Sequence, residues 1–159
     1  MAIPLLVVRD VAIRQATAED SHDLLVFLAQ LAQTSRYTNG ATLNKTHLAA
    51  SLDKMLALQD AEFILALADD RIIGVLVLLL FDDLISGERG AAEVCWYVEP
   101  QHRHGVGPRL LNEGERWAEQ HGAVKIQMLS PDVRFEAFYA RRGYAPSSRV
   151  WERRLPCRG

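Results

Sequence analysis

The stretch at residues 93–122 constrains the fold most, because it predicts a strand, a tight turn and a helix in direct succession. In its first part every second residue from Val94 is apolar, and β-branched and aromatic side chains dominate, which is typical of a strand. Pro100 then ends the strand, since proline has no N–H to donate to a neighbour. Gly105 and Gly107 permit a sharp turn, and Pro108 suits the first turn of a helix. The stretch therefore predicts a loop and a helix N-terminus aimed at one spot, which suits a phosphate group, although a Gly-x-Gly turn before a helix is often only a turn.

Predicted strands and helices alternate along the rest of the chain. Thr17 and Asp20 have the spacing of a capping box, which predicts the start of a helix. The unbroken apolar run at residues 75–80 predicts a strand covered on both faces. A helix between the strands at 93–99 and 124–129 implies a crossover, which would make these two strands parallel. Strands are predicted at about residues 11–15, 63–68, 72–81, 93–99, 124–129 and 149–155; helices at about 17–33, 43–58, 108–121 and 133–142; and polar loops at 34–42 and 82–90.

The composition indicates one globular domain, since 159 residues with 49% hydrophobic and 24% charged residues can bury an ordinary core. Cys95 lies in a predicted strand and Cys157 near the end of the chain, which favours free thiols in a reducing compartment. No apolar run approaches the roughly 18 residues of a membrane span, and the first residues lack the basic start of a secretion signal. We therefore expect a cytoplasmic protein with no membrane partner.

Charge is unevenly distributed along the chain. The net charge is −2, which argues against a general nucleic-acid partner. Residues 1–100 hold 7 Lys and Arg against 14 Asp and Glu, a net charge of −7, whereas residues 101–159 hold 11 against 6, a net charge of +5. The basic second part would attract a polyanionic cofactor, and the acidic first part a cationic acceptor. A chance imbalance between solvated faces is the alternative interpretation.

The strand–loop–helix stretch resembles the cofactor-binding segment of the GNAT N-acetyltransferases. It departs from the family pattern in having one residue, His104, between Arg103 and Gly105, where the family usually has two. Counting back from Gly105, His102 occupies the position that usually holds Gln or Arg, and a pyrophosphate loop one residue tighter is predicted. The residues that match the family are Val98, Pro100, Arg103, Gly105, Gly107, Leu110 and Leu111.

A second segment is similar to the family's later aromatic motif. Phe138, Tyr139, Gly143 and Tyr144 match it, and Asp132 precedes Tyr139 by seven residues, where the family often has an Asn that contacts the cofactor. The two motifs together are much more specific than either alone. The order β-α-α-β-β-β-α-β-α-β is also that of the GNAT fold, so the resemblance extends over about residues 11–155.

The resemblance implies a fold, a co-substrate and a class of acceptor. The fold would be of the α/β (α+β) class, with a mixed central sheet of six to seven strands, about four helices and a splayed strand pair at the cofactor site. It would form a single acetyltransferase domain at residues 1–159, with residues 1–10 as a lead-in. Acetyl-CoA would be the co-substrate, a primary amine of a small molecule or peptide the acceptor, and a homodimer is common among similar proteins. The implied cofactor contacts are Trp96, Tyr97, Val98, Arg103, His104, Gly105, Val106, Gly107, Pro108 and Asp132.

Acetyl transfer to an amine needs a base for the amine, a donor for the developing oxyanion and an acid for the leaving thiolate. The resemblance assigns the acid role to Tyr139, whose phenol has an ordinary pKa of about 10, although an aromatic that only packs a helix is the alternative. It assigns the oxyanion donor to the N–H of Val98. Glu93 would be the base, acting through water, and Glu99 and Glu88 are the competing candidates.

Other functions remain open at this point. His102 and His104 invite a metal site, but acidic or Cys ligands at suitable spacing are missing, so we expect no metal. Cys95 as an acyl-carrying nucleophile lacks a His–acid pair, and a buried Cys is usually part of a core. A non-catalytic acyl-CoA-binding or sensor module with the same fold is the main alternative to an enzyme. A toxin acting on aminoacyl-tRNA is disfavoured by the negative net charge.

Overall fold

Five strands form one sheet in the order β1-β2-β3-β4-β5. Pairing is antiparallel from β1 to β4, and β4 and β5 are parallel. The crossover predicted from the sequence is therefore confirmed, with one helix connecting the two parallel strands. The strands are β1 (Val11–Gln15), β2 (Ala61–Ala68), β3 (Arg71–Asp82), β4 (Arg89–Val98) and β5 (Lys125–Gln127).

The structure is a computed structural model that describes residues 10–34, 42–130, 132–153 and 155–156. It divides into two compact units, Met1–Met128 and Leu129–Gly159. The single domain that we expected stays a prediction. The helices are α1 (Ser21–Thr34), α2 (Lys45–Leu56), α3 (Arg103–Gln120) and α4 (Glu136–Arg141), with short 3-10 helices at Ala18–Asp20, Pro100–His102 and Val133–Phe135. None of the helices in this described part is both long and apolar enough to span a membrane.

Local polar contacts explain where the first elements begin and turn. The Asp20 carboxylate accepts the N–H of Thr17 at 2.7 Å, which confirms the predicted capping box. Arg14 donates two further hydrogen bonds to it, at 2.7 and 2.8 Å, and the pKa of Asp20 is lowered to about 2, mainly by this contact. Asp69 and Asp70 form the two-residue turn between β2 and β3 with positive φ values of 50° and 59°, as tight hairpins require.

Both faces of the sheet in the first unit are covered. On one face Leu24 and Phe27 of α1 and Leu52 of α2 pack on β2 and β3. On the other face α3 approaches so closely that a Cβ on Gly114 would lie 2.7 Å from Leu76 and 3.0 Å from Leu78. Residues 72–78 of β3 are buried, so the prediction of a strand covered on both faces is confirmed. Each such fully buried aliphatic side chain contributes about 1.5–3 kcal/mol.

The second unit contains α4, which is closed by Gly143 at φ 86°, as predicted. The strand predicted at residues 149–155 is wrong: residues 149–153 and 155 lie outside any strand, and Trp151 is 90% exposed. A segment with alternating side chains forms a strand only where its backbone can pair with that of a neighbouring strand. The described residues accordingly form five strands where we predicted six to seven. Residues 35–41 of the loop predicted at 34–42 lie outside the described residues, as do residues 1–9 of the lead-in.

Candidate active site

The last residues of β4 send their side chains to opposite faces of the sheet, as successive strand residues do. The Trp96 ring lies towards α3, 3.4 Å from the position that a Cβ on Gly107 would take. The Tyr97 ring lies towards α1, with its centroid 5.9 Å from that of Phe27. The two aromatic residues that we assigned to the cofactor site therefore belong to different faces.

Gly74 on β3 lies directly opposite Val98, and the sequence analysis gave it no role. A Cβ on Gly74 would lie 3.1 Å from a Val98 methyl group, 3.2 Å from the Tyr97 carbonyl oxygen and 3.3 Å from Leu110 of α3. These separations are tighter than ordinary contacts. The glycine therefore lets the end of β4 and the start of α3 pack closely against β3.

The pairing of β4 with β5 is short. It involves Gly90–Ala92 on β4 and Lys125–Gln127 on β5, whereas the pairing of β4 with β3 continues to Val98. This arrangement agrees with the splayed strand pair that the resemblance implied. It puts the change in pairing at the middle of β4.

The glycine turn interrupts the backbone of α3 near its start. His104 has φ −69° and ψ 97°, and Gly105 has φ 82° and ψ −13°, both outside the helical region. Helical geometry continues from Val106, so Pro108 lies in the first regular turn, as predicted. Val106 and Gly107 are buried, and residues 103–105 are exposed. The positive φ at Gly105 is one that L side chains rarely adopt.

Arg103 connects this turn to the end of the strand. Its Nε donates a hydrogen bond to the Val98 carbonyl oxygen at 3.1 Å. Its guanidinium carbon lies 5.9 Å from the centroid of the Tyr97 ring, within the range of a cation–π contact. The structure thus brings together Tyr97, Val98 and Arg103, three of the residues that we predicted to contact the cofactor.

The segment between β4 and the glycine turn contacts a residue that the sequence analysis missed. Arg71, the first residue of β3, donates two hydrogen bonds to the Glu99 carboxylate, at 2.6 and 2.9 Å. The same carboxylate accepts a bond from Gln101 Nε2 at 2.9 Å and lies 3.8 Å from His102 Nε2. The Glu99 side chain is 14% exposed. These contacts engage the carboxylate that we considered as an alternative base.

No pattern in the sequence pointed to Arg71. The residue lies 28 positions before Glu99, and only the pairing of β3 with β4 brings the two together. Arg71 follows the turn residues Asp69 and Asp70, and in the sequence it belongs to a polar turn like many others. A correct alignment of β3 against β4 is the one signal that could have identified it.

Glu93, our predicted base, lies beside an irregularity in β4. Glu93 is opposite Leu78 and Cys95 is opposite the preceding residue Val77, so Val94 is an extra residue in β4. Such an insertion is a β-bulge. The strict alternation that we predicted through Val94 is therefore wrong, because the bulge moves Glu93 from the face of Cys95 to that of Leu78. Glu93 is partly buried, and the other candidate, Glu88, is exposed in the loop before β4.

In the second unit, Asp132 and Tyr139 have well-defined partners. Asp132 accepts the N–H of Arg134 at 2.9 Å and forms an ion pair with its side chain at 2.8 Å. Tyr139 is 8% exposed, and its hydroxyl donates a hydrogen bond to the Leu129 carbonyl oxygen at 3.1 Å. Its ring packs against those of Phe138 and Tyr144, at centroid separations of 5.5 and 5.3 Å. Their roles in acetyl transfer stay predictions.

A cleft of about 160 Å³ opens beside the end of β4 in the first unit. One side is formed by α1, and the other by Tyr97 and the segment that follows it. Its walls combine aromatic surface with two carboxamide side chains and the Glu99 carboxylate. The lining residues are Phe27, Gln30, Leu31, Tyr97, Glu99 and Gln101.

The alternative chemistries have little to support them in the described residues. Within residues 10–34, 42–130, 132–153 and 155–156, no three His, Cys, Asp or Glu side chains group as metal ligands. Cys95 packs against the apolar cluster between the sheet and α1. That location is typical of a core cysteine.

The chain is similar in structure to solved acetyltransferases, although it matches no curated protein. An acetyltransferase from Trypanosoma brucei is 20% identical, with a TM-score of 0.73, and the match covers 92% of this chain and 100% of that one. A ribosomal-protein-alanine N-acetyltransferase from Brucella melitensis biovar Abortus 2308 is 20% identical, with a TM-score of 0.70 and coverage of 92% and 99%. An aminoglycoside acetyltransferase from an uncultured soil metagenomic sample is 16% identical, with a TM-score of 0.70 and coverage of 93% and 97%.

At these identities the solved structures establish the fold and leave the acceptor open. The family model described as "Acetyltransferase (GNAT) family" matches residues 27–144, which is well over half of the chain. The matched range includes both motifs from which the resemblance was drawn. The strand, the glycine turn and the family match lead to one conclusion: the chain belongs to the acetyltransferase (GNAT) family.

Proposed function

We propose that the protein is an acetyl-CoA-dependent N-acetyltransferase that transfers the acetyl group to a primary amine by direct attack in a ternary complex. The observation that supports this most is the glycine turn at the start of α3, where Gly105 has a positive φ and adjoins exposed Arg103 and His104. A turn of this kind before a helix suits a pyrophosphate, because N–H groups and the helix dipole act on the same anion.

The charge distribution supports the same co-substrate. Residues 101–159 carry a net charge of +5, whereas residues 1–100 carry −7. Within the first unit, the exposed Arg103 beside the glycine turn supplies the positive charge that attracts a polyanion such as coenzyme A. Arg103 would place its charge beside the pyrophosphate while its Nε remains bonded to Val98.

The acceptor amine would enter the cleft beside Tyr97. The cleft is about 160 Å³ in volume, which suits the end of a chain or a small molecule better than a bulky group. Gln30 and Gln101 offer carboxamide groups that can form hydrogen bonds with a polar group next to the amine. We propose a primary amine with a polar neighbouring group as the acceptor class.

Three residues would divide the chemistry. Glu93 would accept the proton of the ammonium group through water. The Val98 N–H would donate to the carbonyl oxygen as that oxygen gains negative charge. Tyr139 would protonate the leaving thiolate, and its bond to the Leu129 carbonyl oxygen requires that the phenol carry its proton.

A non-catalytic acyl-CoA-binding module is the second candidate, because His102 occupies the position where the family usually has Gln or Arg. The first experiment is a calorimetric titration with acetyl-CoA and with CoA that lacks the 3′-phosphate. Micromolar binding of acetyl-CoA supports the glycine turn as a pyrophosphate site, and absence of binding overturns the proposal. Thioester consumption with a panel of primary amines then separates the two candidates, since only the enzyme turns over.

The acid role has its own test. Tyr139→Phe keeps the ring packing and removes the proton donor, so kcat should fall about 100-fold while the Kd of acetyl-CoA remains near the wild-type value. The Tyr144→Phe variant is the matched control, since Tyr144 packs on the same ring. An unchanged kcat in Tyr139→Phe would contradict the assignment.

A further inference from the structure

We propose that Arg71 and Glu99 form a positioning pair that holds the glycine turn in the arrangement that binds the co-substrate. This inference rests on the proposed function, because it concerns the affinity of that turn for acetyl-CoA. Neither residue needs to touch the ligand. They act by fixing Glu99–His102, the segment through which the end of β4 leads into α3.

The pair has the geometry of a strong, directional contact. Arg71 presents two nitrogens to the two carboxylate oxygens of Glu99, at 2.6 and 2.9 Å, an arrangement that fixes orientation as well as distance. The Glu99 side chain is 14% exposed and that of Arg71 is 55% exposed, so the contact is shielded from solvent on the carboxylate side. The contact also raises the pKa of the Arg71 guanidinium.

From the Glu99 carboxylate the restraint extends into the loop. Gln101 donates to the same carboxylate at 2.9 Å, and His102 Nε2 lies 3.8 Å from it. The backbone adds two bonds, from Glu99 N–H to the Ile73 carbonyl oxygen at 2.9 Å and from His102 N–H to the Glu99 carbonyl oxygen at 2.9 Å. Together these contacts link residues 99–102 to one another and to β3.

The position of Arg71 shows that its role is not that of a core residue. Arg71 is exposed, at the first position of β3, and it lies outside the apolar cluster that α1 and α2 cover. Its loss should leave the sheet folded and let the segment before the glycine turn move. A co-substrate must then order that segment when it binds, which reduces affinity.

The test compares Arg71→Gln, Glu99→Gln and the double variant by calorimetry with acetyl-CoA. Each single variant should raise the Kd about tenfold, equivalent to about 1.4 kcal/mol. With an amine identified in the panel, Arg71→Gln should raise KM for acetyl-CoA by a similar factor and keep kcat within about twofold. The double variant should resemble the single variants, because the effects of substituting the two partners of one contact on the binding free energy are not additive.

Two further variants separate positioning from charge and from folding. Arg71→Lys keeps the charge but not the paired hydrogen bonds, so its Kd should lie between those of the wild type and Arg71→Gln. Arg89→Gln removes the same charge at the opposite end of β4, where Arg89 pairs with Asp60, and it should bind acetyl-CoA like the wild type. Thermal unfolding of every variant shows which of them are folded.

The possible failures are distinguishable. A wild-type protein that does not bind acetyl-CoA overturns the proposed function and the positioning role with it. A wild type that binds, together with folded Arg71→Gln and Arg71→Lys variants of unchanged Kd, overturns the positioning role alone. Additive effects of Arg71→Gln and Glu99→Gln would also overturn it, since they would show that the residues act separately.

Discussion

The two ends of β4 are built for different purposes, although they belong to one continuous strand. At its beginning, Gly90–Ala92 pair with β3 on one side and β5 on the other, and the Arg89 side chain contacts Asp60 and Asp82. At its end, Trp96–Val98 continue to pair with β3, and the chain passes directly into the glycine turn. The bulge at Val94 separates the two ends.

Glycine illustrates the difference. At Gly90 a Cβ would lie 2.5 Å from the Phe81 ring, so the glycine is required by the close packing of two strands. At Gly105 a Cβ would have no neighbour within 4 Å, but φ is 82°, so the glycine is required by the backbone conformation. The first end uses glycine for stability, and the second uses it for the shape of a loop that faces solvent.

The largest expected effect concerns the bulge between the two ends. In Glu93→Gln the amide cannot accept a proton, so kcat should fall about 100-fold with little change in the Kd of acetyl-CoA. Steady-state kinetics over a range of pH measures it. Glu88→Gln is the control, since Glu88 is exposed in the loop before β4. A pH profile that is the same in Glu93→Gln and the wild type would remove Glu93 as the base.

At the end of β4, Gly105→Ala should weaken the binding of acetyl-CoA about tenfold. An L residue such as Ala is destabilised by about 1–2 kcal/mol in the left-handed conformation. The unliganded turn of Gly105→Ala would therefore relax, and acetyl-CoA would have to restore the left-handed conformation on binding. Calorimetry measures the effect, and Gly105→Asn should lose less, because Asn tolerates positive φ better than Ala. Equal affinities of Gly105→Ala and the wild type would mean that this turn does not hold the co-substrate.

At the beginning of β4, Gly90→Ala should lower the free energy of unfolding by about 1–2 kcal/mol and leave the Kd of acetyl-CoA unchanged. The added methyl group would displace the Phe81 ring, which also lies 5.7 Å from Lys125 Nζ. Denaturant unfolding and calorimetry on the same sample make the measurement. A loss of affinity without a loss of stability would erase the distinction between the two ends.

The smallest effect is a pH dependence in the loop before β4. The backbone N–H of Ser86 and that of Ile85 donate to Asp83 at 2.9 and 3.0 Å, and these bonds lower its pKa to about 2. Because the folded pKa is depressed, the loop is stabilised above the ordinary pKa and loses this support only as the pH falls towards 2. At pH 4 a carboxyl of ordinary pKa is about 40% protonated. Carbon NMR should find Asp83 almost fully ionised there, and substantial protonation at pH 4 would contradict the hydrogen-bonded loop.

Much of the fold was predictable because local patterns carry it. The capping box at Thr17, the crossover between β4 and β5 and the apolar run in β3 each follow from spacing that a few neighbouring residues determine. The boundaries of α2 shifted by two residues at each end from those predicted, and Asn44 accepts the N–H of His47 at its start. Such shifts are small because the alternative end positions of a helix lie within about one turn of each other.

The candidate site was predictable where its residues are contiguous in sequence. Arg103, Gly105 and Pro108 belong to one short motif, and the structure gives each the predicted setting in the strand–turn–helix stretch. The same method failed for the strand at 149–155, since its alternating pattern contains no information about a neighbouring strand. It also missed Gly74, whose role depends on contacts with Val98 and Leu110.

The sequence by itself determined the order of elements from β1 to α4, the glycine turn and the membership of a family, because backbone preferences and short motifs act over a few residues. Only the tertiary structure decided the bulge at Val94, the close approach at Gly74 and the bond between Arg71 and Glu99. Each of these depends on which residue of β3 lies opposite which residue of β4. That alignment is set by the packing of the whole sheet between its helices, so no local pattern contains it.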